Sequence, residues 1–206
     1  MLSEVVATIA AAPASQRDLA EAPIVQTVLL ISGSTRAGST NSALVRTAAL
    51  CAPAGIEAVV YEGLTALPHF NPDDDHEPLP APVVQLRAAI ATADAVLLCT
   101  PEYAGTLPGS FKNLLDWTVG AMVMTDKPVA WVNAAVEPRR GEGAQSTLAT
   151  VLGYVQARVV TDACRHVPVP REAVDTQGLI ADASTRDALR GVLARLAGCS
   201  CADPTA

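Results

Sequence analysis

The chain has 206 residues, of which 50% are hydrophobic and 17% charged, and it carries a formal net charge of −7. That length suits one domain with a sizeable core, and the composition is too apolar for a disordered chain. The acidic balance argues against a nucleic-acid partner, whose phosphates it would repel, although a local loop can still hold a single anionic group.

Residues 1–23 are Ala-rich, but Glu4 comes early, no basic residue precedes Arg17, and Pro13 stops the apolar run Val5 to Ala12. This is not the pattern of a secretory signal. The segment is expected to be a mobile or loosely docked arm, followed by a single domain over 24–198 and a short tail over 199–206. No later stretch is long and apolar enough to span a bilayer, so the expected setting is cytoplasmic, with no membrane partner.

The first strand is expected at Thr27 to Ser32, and it leads into Gly33-Ser34-Thr35-Arg36-Ala37-Gly38-Ser39-Thr40-Asn41 and a helix over Asn41 to Cys51. Ile56 to Tyr61 is a weaker strand. Leu64 to Pro82 is a long irregular connection rich in Pro and Asp. Its run Asp73-Asp74-Asp75 reads as a solvated loop; the alternative, a carboxylate metal site, lacks EF-hand spacing. A helix over Val83 to Thr92 precedes the strand Asp94 to Cys99, and a helix over Ser110 to Val119 starts beside Pro108. Then come a strand at Pro128 to Asn133, a helix over Gly143 to Tyr154, a weak strand at Val155 to Thr161 and a last helix over Ser184 to Ala197.

The strong strands are apolar on successive residues, as in strands covered on both faces. Strands alternating with helices predict an α/β fold: a flavodoxin-like, doubly wound, five-stranded parallel sheet of order 2-1-3-4-5 with helices on both faces. In such sheets ligands bind outside the carboxyl ends of the strands, which puts the first and second βα loops at the site.

The first loop enters a helix N-terminus, where unpaired amides and the helix dipole favour a phosphate. Ser34, Ser39, Thr40 and Asn41 add side-chain donors, and Arg36 adds a positive charge. A Walker loop is excluded because Ser39 stands where its lysine belongs. The dinucleotide fingerprint fails because Thr35 replaces its middle glycine. A hydroxyl-rich loop for one phosphomonoester remains, as in FMN; the alternative is an ordinary Ser/Thr-rich helix cap. In the second loop Tyr103 projects at the carboxyl edge, either against a planar ring or as a partly buried loop aromatic, and the amides from Glu102 to Thr106 can bond a ring's polar edge. No G-x-S-x-G elbow is present, which leaves a hydrolase unsupported.

The cysteines, Cys51, Cys99, Cys164, Cys199 and Cys201, form no C-x-x-C pair, and Cys99 reads as a small buried hydrophobe. Their odd number fits a reducing compartment. Cys199-Ser200-Cys201 is either a redox-responsive thiol pair or a tail of ordinary thiols. His69, His76 and His166 are scattered, so no metal ligand set is expected.

Together these loops resemble the NADPH-dependent FMN reductase family, which includes chromate, quinone and azo reductases. Gly33, Ser34, Arg36, Ser39 and Asn41 meet the family's first loop, G-S-x-R-x-x-S-x-N. Pro101, Glu102, Tyr103, Pro108, Gly109, Lys112, Asn113, Asp116 and Trp117 meet its second, P-E-Y-N-x-x-x-P-G-x-x-K-N-x-x-D-W. Leu67, Pro68 and Asn71-Pro72-Asp73 resemble the loop before its second helix, so the likeness runs from about Thr27 to Arg165. Ala104 departs from the family's Asn.

The resemblance implies an FMN-containing oxidoreductase that takes hydride from NADPH or NADH and passes electrons to a small acceptor such as a flavin or quinone. Its chemistry would lie on the flavin, with no catalytic side chain. The implied FMN contacts are Ser34, Arg36, Ser39, Thr40, Asn41, Pro101, Glu102, Tyr103, Ala104, Gly105, Thr106, Asn133 and Ala134. Arg139 and Arg140 are either a solvated basic pair or a lure for a nicotinamide cofactor's phosphate. A homodimer or homotetramer is implied, with Phe111, Trp117, Met122 and Met124 as contact or core. The alternative function is a flavodoxin-type electron carrier or an FMN-binding redox sensor without efficient NAD(P)H turnover.

Overall fold

A computed structural model of the chain describes residues 25–137 and 139–199. The arm expected at 1–23, and Ser200 and Cys201 of the tail, lie outside the described residues.

The apolar runs form the parallel strands β1 (Gln26–Ser32), β2 (Ile56–Tyr61), β3 (Ala95–Cys99) and β4 (Pro128–Asn133), with a short β5 (Arg158–Val159). Their order is β2-β1-β3-β4-β5, as the flavodoxin-like expectation requires. Between them lie helices α1 (Thr40–Leu50), α2 (Ala81–Thr92), α3 (Gly109–Asp116) and α4 (Glu142–Tyr154), and α5 (Ala183–Gly198) ends the fold.

Strand residues alternate between two cores. Val28 and Leu30 of β1, Leu97 of β3 and Val132 of β4 face α1 and α5, where Leu44, Leu193 and Leu196 complete the packing. Leu29, Ile31, Val96, Leu98 and Val129 face α2, α3 and α4, against Leu86, Phe111, Leu115 and Leu148. Both faces are apolar, so the strands read as unbroken hydrophobic runs. Each fully buried aliphatic side chain contributes roughly 1.5–3 kcal/mol by leaving water.

The last strand differs from the expected Val155 to Thr161. β5 pairs with the start of β4 (Pro128↔Arg158, Val129↔Val159), and a short turn, Thr161–Ala163, then interrupts it. Pairing resumes at the end of β4 through β6 (Arg165–His166). Val160 N–H donates to the Val129 carbonyl and Val167 N–H to that of Asn133. Carbonyls an even number of residues apart point the same way along a strand, so both pieces lie on one edge of β4. The fifth strand position is thus a split strand. The turn sends Ala163 into the core, fully buried, while Arg158, Arg165 and His166 stay outside.

The long connection after β2 is pinned to α3 instead of lying free in solvent. The Asn113 side chain accepts from Phe70 N–H at 2.7 Å and donates to the Pro68 carbonyl at 2.8 Å. Trp117 Nε1 donates to the same carbonyl at 2.9 Å, and its ring meets Phe70 edge-on at 5.0 Å. Asp75 departs from the solvated reading of the acidic run: it pairs with Arg87 at 2.6 Å, and both side chains are only 13% exposed. The K-N-x-x-D-W motif therefore fastens this loop. Of the residues expected as core or contact, Phe111, Trp117 and Met124 are buried and Met122 is 68% exposed.

Because Leu97 is fully buried in the central strand, Leu97→Ala should lower unfolding free energy by about 2–5 kcal/mol. Tyr154→Ala, at an exposed position, should change it by less than about 0.5 kcal/mol. Urea denaturation midpoints at matched slope check both values.

Candidate functional site

The loops leaving β1, β3 and β4 surround a cleft of about 770 Å³ at the carboxyl edge of the sheet. That volume lies within the range of small-molecule and cofactor sites. Its floor depends on Gly33: a Cβ there would collide with the Thr100 hydroxyl and come within 2.8 Å of the Phe111 ring. Only glycine lets the first loop lie this close to the end of β3.

Along one wall runs the first loop. Ser39 is the N-cap of α1, yet its hydroxyl makes no capping bond. Ser39 and Asn41 are buried, Ser34 is half-buried, and Arg36 is exposed. The first-turn amides of α1 have no intrahelical acceptor, as at any helix start. Asn41 Oδ1 accepts from Cys99 Sγ at 3.2 Å, which leaves the amide nitrogen as this side chain's free donor. Burial pushes the Cys99 thiol up to about 12, so it stays protonated at neutral pH and serves as a hydrogen-bond donor beneath the loop. The Arg36 guanidinium has only a long contact, 3.4 Å, to the Gly38 carbonyl and no carboxylate partner among the described residues.

The second loop is a miniature hairpin. Tyr103 and Thr106 exchange N–H···O bonds of 3.0 and 3.1 Å around Ala104 and Gly105. Both central residues have positive φ, +51° and +75°, the geometry of a type I′ turn. This gives a physical reason for an Asn at the Ala104 position: Asn tolerates left-handed backbone where Ala is strained. The hairpin is held against α4. Glu102 Oε2 accepts from Ala144 N–H at 3.1 Å, satisfying an amide of the helix's first turn, and Thr106 Oγ1 meets Thr147 Oγ1 at 2.9 Å. A Cβ at Gly143 would collide with the Gly105 carbonyl, so glycine is required where helix and hairpin touch. Tyr103 is left 51% exposed at the cleft.

The third loop is organised by Asn133. Its Oδ1 accepts from Ala135 N–H at 3.0 Å and its Nδ2 donates to the Arg140 carbonyl at 3.0 Å. The segment after β6 joins this frame, with Val169 N–H donating to the Ala134 carbonyl at 3.0 Å.

The cleft is lined by Ser34, Arg36, Ser39, Thr40 and Asn41, by Pro101, Glu102 and Tyr103, and by Asn133 and Ala134. Ala104, Gly105 and Thr106 are outside its lining and build the hairpin behind Tyr103. Sequence reasoning missed Thr100, Val136, Gly141 and above all Arg171, which all line it. Arg140 does too, whereas Arg139 does not. Arg171 lies beyond the recognised motifs, and only the split-strand return brings it to the cleft. No group of three or more His, Cys, Asp or Glu side chains among the described residues converges as a metal site would.

Comparison with known proteins places the chain in a family. Residues 26–168 match the NADPH-dependent FMN reductase family. The chain is 32% identical to a quinone reductase of Escherichia coli K12 over 81% of this chain and 90% of that protein. It is 30% identical to an NAD(P)H-dependent FMN reductase of Pseudomonas aeruginosa over 82% of this chain and 92% of that one. The solved structure of FerB, a flavoenzyme NAD(P)H:(acceptor) oxidoreductase from Paracoccus denitrificans, superposes with a TM-score of 0.72 at 30% identity, covering 84% and 96% of the two chains.

The hairpin geometry makes a direct prediction. Ala104→Asn should raise unfolding free energy by about 0.5–1 kcal/mol by relieving left-handed strain. Gly143→Ala should lower it and shorten the lifetime of the hairpin's amide protons, read by hydrogen exchange.

Proposed function

We propose that this member of the NADPH-dependent FMN reductase family binds FMN in the cleft with its phosphate at the α1 N-terminus, and transfers electrons from NAD(P)H to a quinone-like acceptor. The carrying observation is the unspent donor set of the first loop. The N-cap hydroxyl of Ser39 makes no capping bond, the first-turn amides of α1 have no intrahelical acceptor, and the Arg36 guanidinium has only its long contact to the Gly38 carbonyl, all at one cleft. A phosphomonoester dianion supplies those acceptors. The cleft volume and the exposed Tyr103 ring fit the rest of the cofactor.

FMN, when bound, supplies the two-electron chemistry, and the protein supplies binding, orientation and electrostatics. Ser34, Ser39, Thr40 and Asn41 hold the phosphate, and Arg36 neutralises part of its charge. Pro101, Glu102 and Tyr103 form the wall along the ring. Glu102 acts by fixing that wall to α4, because its carboxylate is committed to Ala144 N–H. Ala104, Gly105 and Thr106 set the angle at which Tyr103 is presented. Asn133 and Ala134 close the opposite side, where the Asn133 amide spans the loop and sets its shape. No side chain is assigned a proton-transfer role.

The quinone-like acceptor is supported by the likeness to the Escherichia coli quinone reductase. Free thiols at Cys51, Cys99 and Cys164 fit a cytoplasmic setting, and no helix among the described residues is long and apolar enough to cross a membrane. Val119 and Met122, both exposed just after α3, supply apolar surface for a homodimer or homotetramer.

Anaerobic titration of the FMN-loaded protein with NADPH tests the reading. Stoichiometric bleaching of the flavin band, reversed by benzoquinone, is the expected result, and a bound flavin that stays oxidised would refute it. Arg36→Ala should weaken FMN binding roughly tenfold, the equivalent of one charge-assisted hydrogen bond. An unchanged dissociation constant by fluorescence quenching would place the phosphate elsewhere.

A further inference from the structure

We propose that Arg140 and Arg171 form a second anion subsite, separate from the α1 loop, that takes a phosphate of the incoming nicotinamide dinucleotide. The inference rests on the reading that this cleft receives NAD(P)H.

The first support is charge. Acidic residues outnumber Lys and Arg by 21 to 14 in this chain, yet three guanidinium groups, Arg36, Arg140 and Arg171, line one cleft. None has a carboxylate within ion-pair distance among the described residues, where Arg46, Arg87 and Arg190 each do. Of the carboxylates lining the cleft, Glu102 is occupied by Ala144 N–H and Glu137 pairs with neither arginine. Guanidiniums without carboxylate partners in one concave cleft raise the local potential for an anion.

The second support is placement. FMN carries one phosphate, and the donors of the first loop account for it. That loop leaves β1, whereas the loop carrying Arg140 leaves β4, with β3 between them. Two strand spacings separate the loops by about 10 Å at the sheet edge. A second anion therefore has its own position.

The third support is rigidity. Asn133 Nδ2 holds the Arg140 carbonyl at 3.0 Å, and the same residue's carbonyl accepts from Val167 N–H at 2.9 Å. Val169 N–H then bonds the Ala134 carbonyl at 3.0 Å, and Pro170 leads directly into Arg171. Both arginines thus depend from one hydrogen-bonded frame at the end of β4. Two guanidiniums carried on one backbone frame offer phosphate oxygens more donors than a single one does.

The test measures binding by calorimetry on FMN-loaded protein with two probes, adenosine 2′,5′-bisphosphate and ADP, beside the FMN dissociation constant and the steady-state constants for NADPH and NADH. Arg171→Ala and Arg140→Ala should each weaken a probe roughly tenfold and raise the matching KM, with kcat and FMN affinity within about twofold. Arg171→Lys should retain part of the affinity. Losses confined to the bisphosphate and NADPH would identify the 2′-phosphate as the bound group. Equal losses with ADP and NADH would identify the diphosphate bridge. Unchanged probe affinity, or a loss that appears in FMN binding instead, would overturn the proposal. Probe binding needs no turnover, so a flavin that stays oxidised refutes the proposed function while the substitutions still decide the subsite.

Discussion

Glu102 reaches from the loop after β3 and accepts the backbone N–H of Ala144 in the first turn of α4. A charge-assisted bond to a helix N-terminus is favourable twice over, since it satisfies an orphan amide and sits at the positive end of the dipole. Here it also joins two loops that leave different strands. Because α4 begins where the third loop ends, the latch fixes the second wall of the cleft relative to the third. Gly143 permits the contact and the Thr106–Thr147 pair extends it. The strained turn at Ala104 is held in place by these bonds, so Tyr103 is presented by a supported hairpin.

Much of the fold could be read from residue pattern because the sheet is covered on both sides. Runs such as Val28 to Ile31 and Val96 to Leu98 must be apolar on successive positions, and their order in the chain then sets the doubly wound topology. The fifth strand was less legible. Its pairing residues are split by the Thr161–Ala163 turn, and Arg158, Arg165 and His166 face outward, so no continuous apolar run marks it. The Asp73 to Asp75 run shows a similar limit: only the arrival of Arg87 from α2 separates the half-buried Asp75 from its exposed neighbours.

The cleft was legible where residue type alone carries the chemistry. Hydroxyls and an arginine before a helix are the pattern expected of an anion site, and the structure places Ser39, with no capping bond, and Arg36 at the cleft. Glu102 and Asn133 were harder to interpret, because their partners are backbone atoms distant in sequence or across a turn. Their type suggests ligand contact, while their bonds show scaffold. Arg171 gave no signal, since its position depends on a return strand that the pattern did not define. The same return strand closes the cleft, so the least regular part of the sheet completes the site and brings its extra positive charge.

The proposed placement of FMN, with its phosphate at the start of α1, underlies every role given to the three loops. The most direct measurement is a crystal structure of the protein with FMN. The expected result is a phosphate within hydrogen-bond distance of Ser39, Thr40 and Asn41, with the ring beside Tyr103. A phosphate seated instead at Arg140 and Arg171, or a ring outside the walls formed by the three loops, would contradict it.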